Sequence, residues 1–317
     1  MVRSYLIAYK YGWLHTDNAR RYCKIGSAMN FWKKIIDAFI NKDTTRRTVT
    51  GTERKERNYS VAPYGACDVN FEYLRREGNS YYTTRKVPYC ADRSFKTETV
   101  ETVFEFAYKM TFGRAGAHRD HRSGGTHSRR NGEIFANTFQ GKLAECAVSN
   151  LFHGLGYDVS PDFATYDLGK WDSADLSVNG YEISIKSTKR FGQLLLLEAN
   201  DWDENAVYIP NKDFGNGIYD IVIFVRLDPS CEDILRDARL LNQDVTDYSY
   251  LKELVMSRQW TYNYVGYITR DDLKYIIENQ YIIPQNAMLN GRVRMDADNY
   301  YVQAGDMRDI NSLRKYF

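Results

Sequence analysis

The chain lacks any apolar run near the roughly 18 residues a membrane-spanning helix needs, so no span is expected. It has five cysteines in 317 residues, at 23, 67, 90, 146 and 231, odd in number and without a CxxC pair. That pattern argues against a disulfide framework or a zinc ribbon; reduced thiols and a cytoplasmic location are the expectation. The opening MVRSYLIAYKYGW has no long apolar region and no small-residue cleavage site, so a signal peptide is not expected either. P-loop, Rossmann glycine and GxSxG patterns are missing, which points away from nucleotide cofactors and serine-nucleophile hydrolases. There is no internal repeat and no long low-complexity tract.

Charge is abundant but unevenly placed. Net charge is only +2, yet residues 1–130 carry 25 Lys+Arg against 13 Asp+Glu, and residues 131–317 carry 18 against 28. A basic front and an acidic back suggest a polyanionic partner for the front. Residues 1–110 read as a basic, tyrosine-rich N-terminal region for recognition or dimerisation, and residues 111–317 as a second domain. Within the first, AMNFWKKIIDAFI (28–40) has helical spacing, and RRTVTGTERKER (46–57) is a basic arm able to meet phosphates. Residues 61–90 read as short strands and turns.

Periodicity predicts helices over 97–110, 137–156 and 230–243, a short strand at 157–160 and a buried strand over 219–227. A strand, turn and helix follow over 261–280, and a strand and short helix close the chain. The sum is a mixed α/β (α+β) core, a central mixed sheet flanked by helices, with the basic N-terminal region added.

The most informative stretch is ADLSVNGYEISIKST (174–188). Asn179-Gly180 is a strong two-residue hairpin turn, because a type I′ turn needs positive φ at both positions. That turn sets Val178 against Tyr181, Ser177 against Glu182, Leu176 against Ile183 and Asp175 against Ser184. Alternation then puts Leu176, Val178, Ile183 and Ile185 on one face, and Asp175, Ser177, Glu182, Ser184 and Lys186 on the other. A carboxylate, a hydroxyl and a lysine thus converge. Phosphodiester hydrolysis uses such a set: oxygen ligands for a divalent ion, and a cation that orients water and offsets developing charge.

An acidic helix residue, a strand Asp, a turn and a second strand ending in x-x-Lys resembles the PD-(D/E)XK nuclease superfamily, known from type II restriction endonucleases. The resemblance covers about residues 137–227. It implies a restriction-endonuclease-like core and a Mg²⁺-dependent, sequence-specific double-stranded DNA endonuclease that works as a homodimer. By position, Asp175 would be the metal-binding acid of the first strand, Lys186 the lysine of the second, and Glu145 the helix acid. Ser184 departs from the pattern, which has an acid there. Glu198, 12 residues beyond Lys186, and Glu182, on the same strand face, are the candidates to replace it as metal ligands. Pro161-Asp162 is an alternative source for the first acid; hairpin geometry favours Asp175. The resemblance also leaves open a structure-specific or repair nuclease, and a DNA-binding protein whose catalytic site has decayed.

GRAGAHRDHRSGGTHSRRNGE (113–133) holds five glycines, five arginines and three of the five histidines, and reads as a basic loop. Arginine forks suit phosphates and guanine edges, so Arg114, His118, Arg119, Arg122, His127, Arg129 and Arg130 are the expected DNA contacts. A zinc site on His118, His121 and His127 lacks a fourth ligand at finger-like spacing.

Overall fold

The computed structural model describes residues 69–113, 129–163, 175–214 and 217–317, with nothing described of the side chains of 212–214. The chain divides into two units, Met1–Ala62 and Pro63–Phe317, and the described residues belong to the second. The predicted helix at 28–40, the arm at 46–57, and five expected loop contacts (Arg114, His118, Arg119, Arg122 and His127) lie outside them, as does His121.

Strand order follows from which segments can bury two faces. The NG turn forms as the sequence predicts, with Asn179 at φ 52° and Gly180 at φ 84°. It joins β4 (Leu176–Val178) to β5 (Tyr181–Lys189) in the predicted register, Leu176 opposite Ile183 and Ser177 opposite Glu182. β5 then runs parallel to β7 (Ile221–Asp228), the apolar strand foreseen at 219–227. β7 pairs antiparallel with β8 (Thr261–Thr269), and β8 with the short β3 (Arg93–Ser94), giving the five-stranded order β3-β8-β7-β5-β4.

One face of this sheet takes the helices. α1 (Thr97–Thr111) has Glu98 in its first turn and Lys109 in its last, matching the helix dipole, and buries Val100, Val103, Phe104 and Ala107. α2 (Asn131–Gly154) starts six residues before the predicted 137, because its first turn is anchored from outside. Glu133 accepts the Arg130 amide, and Asp244 accepts from the Arg130 guanidinium (2.6 Å) and the Asn131 amide. Only glycine fits at 132: a Cβ there would lie 2.1 Å from the Leu240 carbonyl oxygen. α3 (Cys231–Asp237) and α4 (Tyr248–Met256) complete the layer around Phe135, Phe139, Leu143, Phe152 and Trp260. α3 stops short of the predicted 243, and Arg239 two residues on has φ 59°. Residues 157–160 form no strand.

The other face meets a second core. A three-stranded sheet of β6 (Leu194–Glu198), β12 (Asn299–Gln303) and β9 (Ile282–Ile283) covers it with α5 (Arg270–Glu278). Leu195, Leu197, Trp202, Val222, Phe224, Ile276 and Tyr301 meet there. A peripheral sheet joins β1 (Arg75–Glu77), β2 (Ser80–Tyr82), β10 (Met288–Leu289) and β11 (Val293–Arg294). Residues 69–110, assigned by composition to the N-terminal region, therefore contribute β1 and β2 to the same unit, β3 to the central sheet and nearly all of α1 to the helical layer. The chain is mixed α/β, and no helix among the described residues is long and apolar enough to cross a membrane.

Candidate functional site

The site grows from the hairpin. Leu176, Val178, Ile183 and Ile185 enter the helix-side core, as alternation requires. Their neighbours on the opposite face range from exposed Ser177 through half-buried Asp175, Glu182 and Lys186 to buried Ser184. β5 lies between β4 and β7, and the second core covers it, so Ser184 is only 1% exposed. A buried hydroxyl needs a partner. Ser184 Oγ donates to Asp175 Oδ2 at 3.4 Å, and the Ile185 amide donates to the same oxygen at 2.5 Å. Charge-assisted bonds of this kind are worth about 1.5–3 kcal/mol, enough to fix the carboxylate beside β5.

Lys186 follows two residues on, level with Phe224 of β7. It is partly buried, and its ammonium lies 6.0 Å from the centroid of the Tyr208 ring. No hydrogen bond or ion pair joins it to any described residue. Tyr208 packs with Trp202 at a centroid distance of 5.2 Å and with Tyr219 at 5.9 Å. Burial, and then the nearby Asp175 carboxylate, push the Tyr219 hydroxyl above the ordinary tyrosine range; it accepts a bond from Asn211. The phenol stays protonated at neutral pH.

An open cleft of about 320 Å³ lies beside this strand pair, lined by Asp158, Val159, Ser160, Asp162, Asp175, Leu176 and Ser177. Both alternatives for the first motif acid, Asp162 and Asp175, thus face one space. Ser177 donates to Glu182 at 2.5 Å, and Asp220 accepts the Glu182 amide at 2.8 Å. Glu145 sits on α2 in an ion pair with Lys142 (2.6 Å), whose ammonium also donates to the Asp162 carbonyl at 2.9 Å. Glu198 ends β6 opposite Asn299, in the three-stranded sheet rather than the hairpin. Next to Glu145, burial and then that carboxylate push the Cys146 thiol up to about 12, which suits a core thiol and not a nucleophile.

Of the expected residues, the fold brings Asp175 and Ser184 into contact, sets Lys186 beside them on the strand, and links Glu145 to the cleft wall through Lys142. Among the described residues, no three His, Cys, Asp or Glu side chains form a preformed metal-ligand group. Mg²⁺ itself commonly uses one or two protein carboxylates, with water and substrate phosphates completing the shell. The hard oxygens of Asp175 and Asp162 on one cleft fit that donor chemistry. Arg130, expected on DNA, is tied to Asp244 at the start of α2; Arg129 precedes it. Lys142 and Tyr208 were not foreseen. Lys142 lies three residues before Glu145 on one helix face, a spacing that could have been read; Tyr208 reaches Lys186 only through tertiary packing. No family model, characterised protein or solved structure matches this chain.

Proposed function

We propose that the chain is a Mg²⁺-dependent endonuclease acting on double-stranded DNA, with a restriction-endonuclease-like core. The observation that carries the reading is Lys186. Lys186 is partly buried on β5 and has no carboxylate partner among the described residues, which leaves its charge available to an anion. A backbone phosphate entering beside Asp175 is such an anion. Asp175, with Asp162 on the same cleft, would hold the ion; Glu182, bonded to Ser177 of that cleft, and Glu145 and Glu198 are the further candidate ligands. When bound, Mg²⁺ polarises the phosphate and assists the attacking water. The chain's own contributions are distinct. Asp175 is held in place by the Ile185 amide, so its orientation is set before substrate arrives. Lys186 offsets charge that grows on the phosphate in the transition state and can orient the attacking water. Ser184 fills the middle position as a donor to Asp175.

Sequence specificity and a homodimer follow from the same reading, since symmetric cutting of both strands of a palindrome uses two copies. A second reading, a DNA-binding protein without cleavage, is favoured by one observation: Ser184 stands where the pattern has an acid. Digestion of a long duplex DNA with purified protein, with Mg²⁺ and with EDTA, separates them. Discrete Mg²⁺-dependent bands support the leading reading. A smear points to a nonspecific or structure-specific nuclease, and binding without cutting supports the second reading.

A further inference from the structure

Lys142 is placed where three elements meet. It projects from α2, and its side chain is 11% exposed. Its ammonium bonds Glu145 at 2.6 Å and the Asp162 carbonyl at 2.9 Å. It also lies 5.1 Å from the centroid of Phe106 on α1 and 5.7 Å from that of Phe163, and those two rings meet edge to face at 5.6 Å. The segment after α2 has earlier anchors: the Tyr157 amide on the Phe152 carbonyl, the Tyr157 hydroxyl on the Phe317 carbonyl, and Ser149 on the Val159 carbonyl. All lie before Ser160. Between Ser160 and Phe163, Lys142 bonds the Asp162 carbonyl and Phe163 packs against Phe106 of α1.

That segment supplies Asp162 to the cleft wall facing Asp175. We propose that Lys142 is a positioning residue: it sets the distance between the two walls of the cleft and fixes the Glu145 carboxylate behind them. A lysine is not needed merely to fill this space, since an aliphatic chain of equal length would pack against both rings. What the ammonium adds is direction, a charge-assisted bond to one specific carbonyl and one specific carboxylate. Its effect on cleavage rests on the nuclease reading; its effect on the segment does not.

The test uses the full chain and the variants Lys142→Met and Lys142→Arg. The first readout is limited chymotrypsin digestion, with the cut after Phe163 followed by mass spectrometry. Cutting in native protein tracks local opening, so K142M should be cut there about tenfold faster while cuts elsewhere keep their rates. The second is DNA cleavage as a function of Mg²⁺: K142M should need a higher Mg²⁺ concentration for half-maximal rate, and K142R should regain most of both properties. Protection of Phe163 in K142M overturns the proposal, as does K142M cleavage with unaltered Mg²⁺ dependence. If the unaltered chain cuts no DNA with Mg²⁺, the nuclease reading fails, and digestion at Phe163 alone judges Lys142. If K142M does not fold, Lys142→Gln replaces it in the same two measurements with the same outcomes.

Discussion

Replacing Lys186 by methionine should make the protein more stable while destroying its proposed activity. Methionine keeps most of the aliphatic stem and removes the charge. Two terms compete. The ammonium's contact with the Tyr208 ring, at 6.0 Å, is lost, worth about 0.5–1 kcal/mol. Against that, the partial desolvation of a charge with no partner among the described residues is relieved, worth roughly 1–3 kcal/mol. The net is a gain of up to about 2.5 kcal/mol, or up to roughly 10 °C in Tm for a unit of this size. Thermal melting with matched urea titrations measures it, and DNA cleavage with Mg²⁺ measures the loss. A K186M protein destabilised by more than about 1 kcal/mol would refute the reasoning. The lysine would then be a packing residue whose charge is already satisfied, and the main support for a phosphate site would go.

Other consequences are as direct. Gly180→Val places a β-branched residue at φ 84°, which should cost about 1–2 kcal/mol and loosen the register that pairs Asp175 with Ser184; denaturant unfolding and cleavage should fall together. Arg226 is fully buried on β7 and donates to Asn263 and to the carbonyls of Val87 and Pro88, so Arg226→Met should cost about 2–4 kcal/mol by leaving those acceptors unmet; a loss under 1 kcal/mol in urea unfolding would mean that relief of the buried charge cancels it. Burial pushes the Asp272 carboxyl up, but the Arg308 guanidinium and the Thr269 amide and hydroxyl outweigh it and hold it below the ordinary carboxylate range. Its folded value therefore lies below the unfolded one. Its stabilisation is present above about pH 4 and is lost as pH falls through the folded value, so Asp272→Asn should flatten the acid limb of the stability curve.

The hairpin was legible because its information is local. Asn179-Gly180 fixes the turn, the turn fixes the register, and alternation sorts the side chains. The apolar run of β7 and the amphipathic pattern of α1 were legible for the same reason. What surrounds Lys186 was not. The sequence shows polar residues at 182, 184 and 186 and suggests a solvated face; the structure buries Ser184 and half-buries the other two beneath a core of β6, β12, Trp202 and Tyr219, brought in by pairings of residues about a hundred positions apart. Nothing in a window around 186 reports such a cover. The start of α2 was missed because its anchor, Asp244, lies more than a hundred residues downstream. The 157–160 segment looked like a strand but is held by side chains from α2, which periodicity does not register.

Asp175 also has a meaning for assembly. In the ladder of β5, residues 181–183 are paired by β4, and the next inward-pointing need, the Ile185 amide, is met by the Asp175 carboxylate instead of by another strand residue. The side chain ends the ladder. At the far edge, β8 is met by only two residues of β3, supplemented by the Asp92 and Phe95 amides and by Arg308, which exchanges both backbone bonds with Tyr267. Both margins of the sheet are therefore closed by short pieces and single groups, leaving little open template for strand addition. That closure disfavours strand addition at either margin of this sheet and so guards it against sheet-to-sheet aggregation.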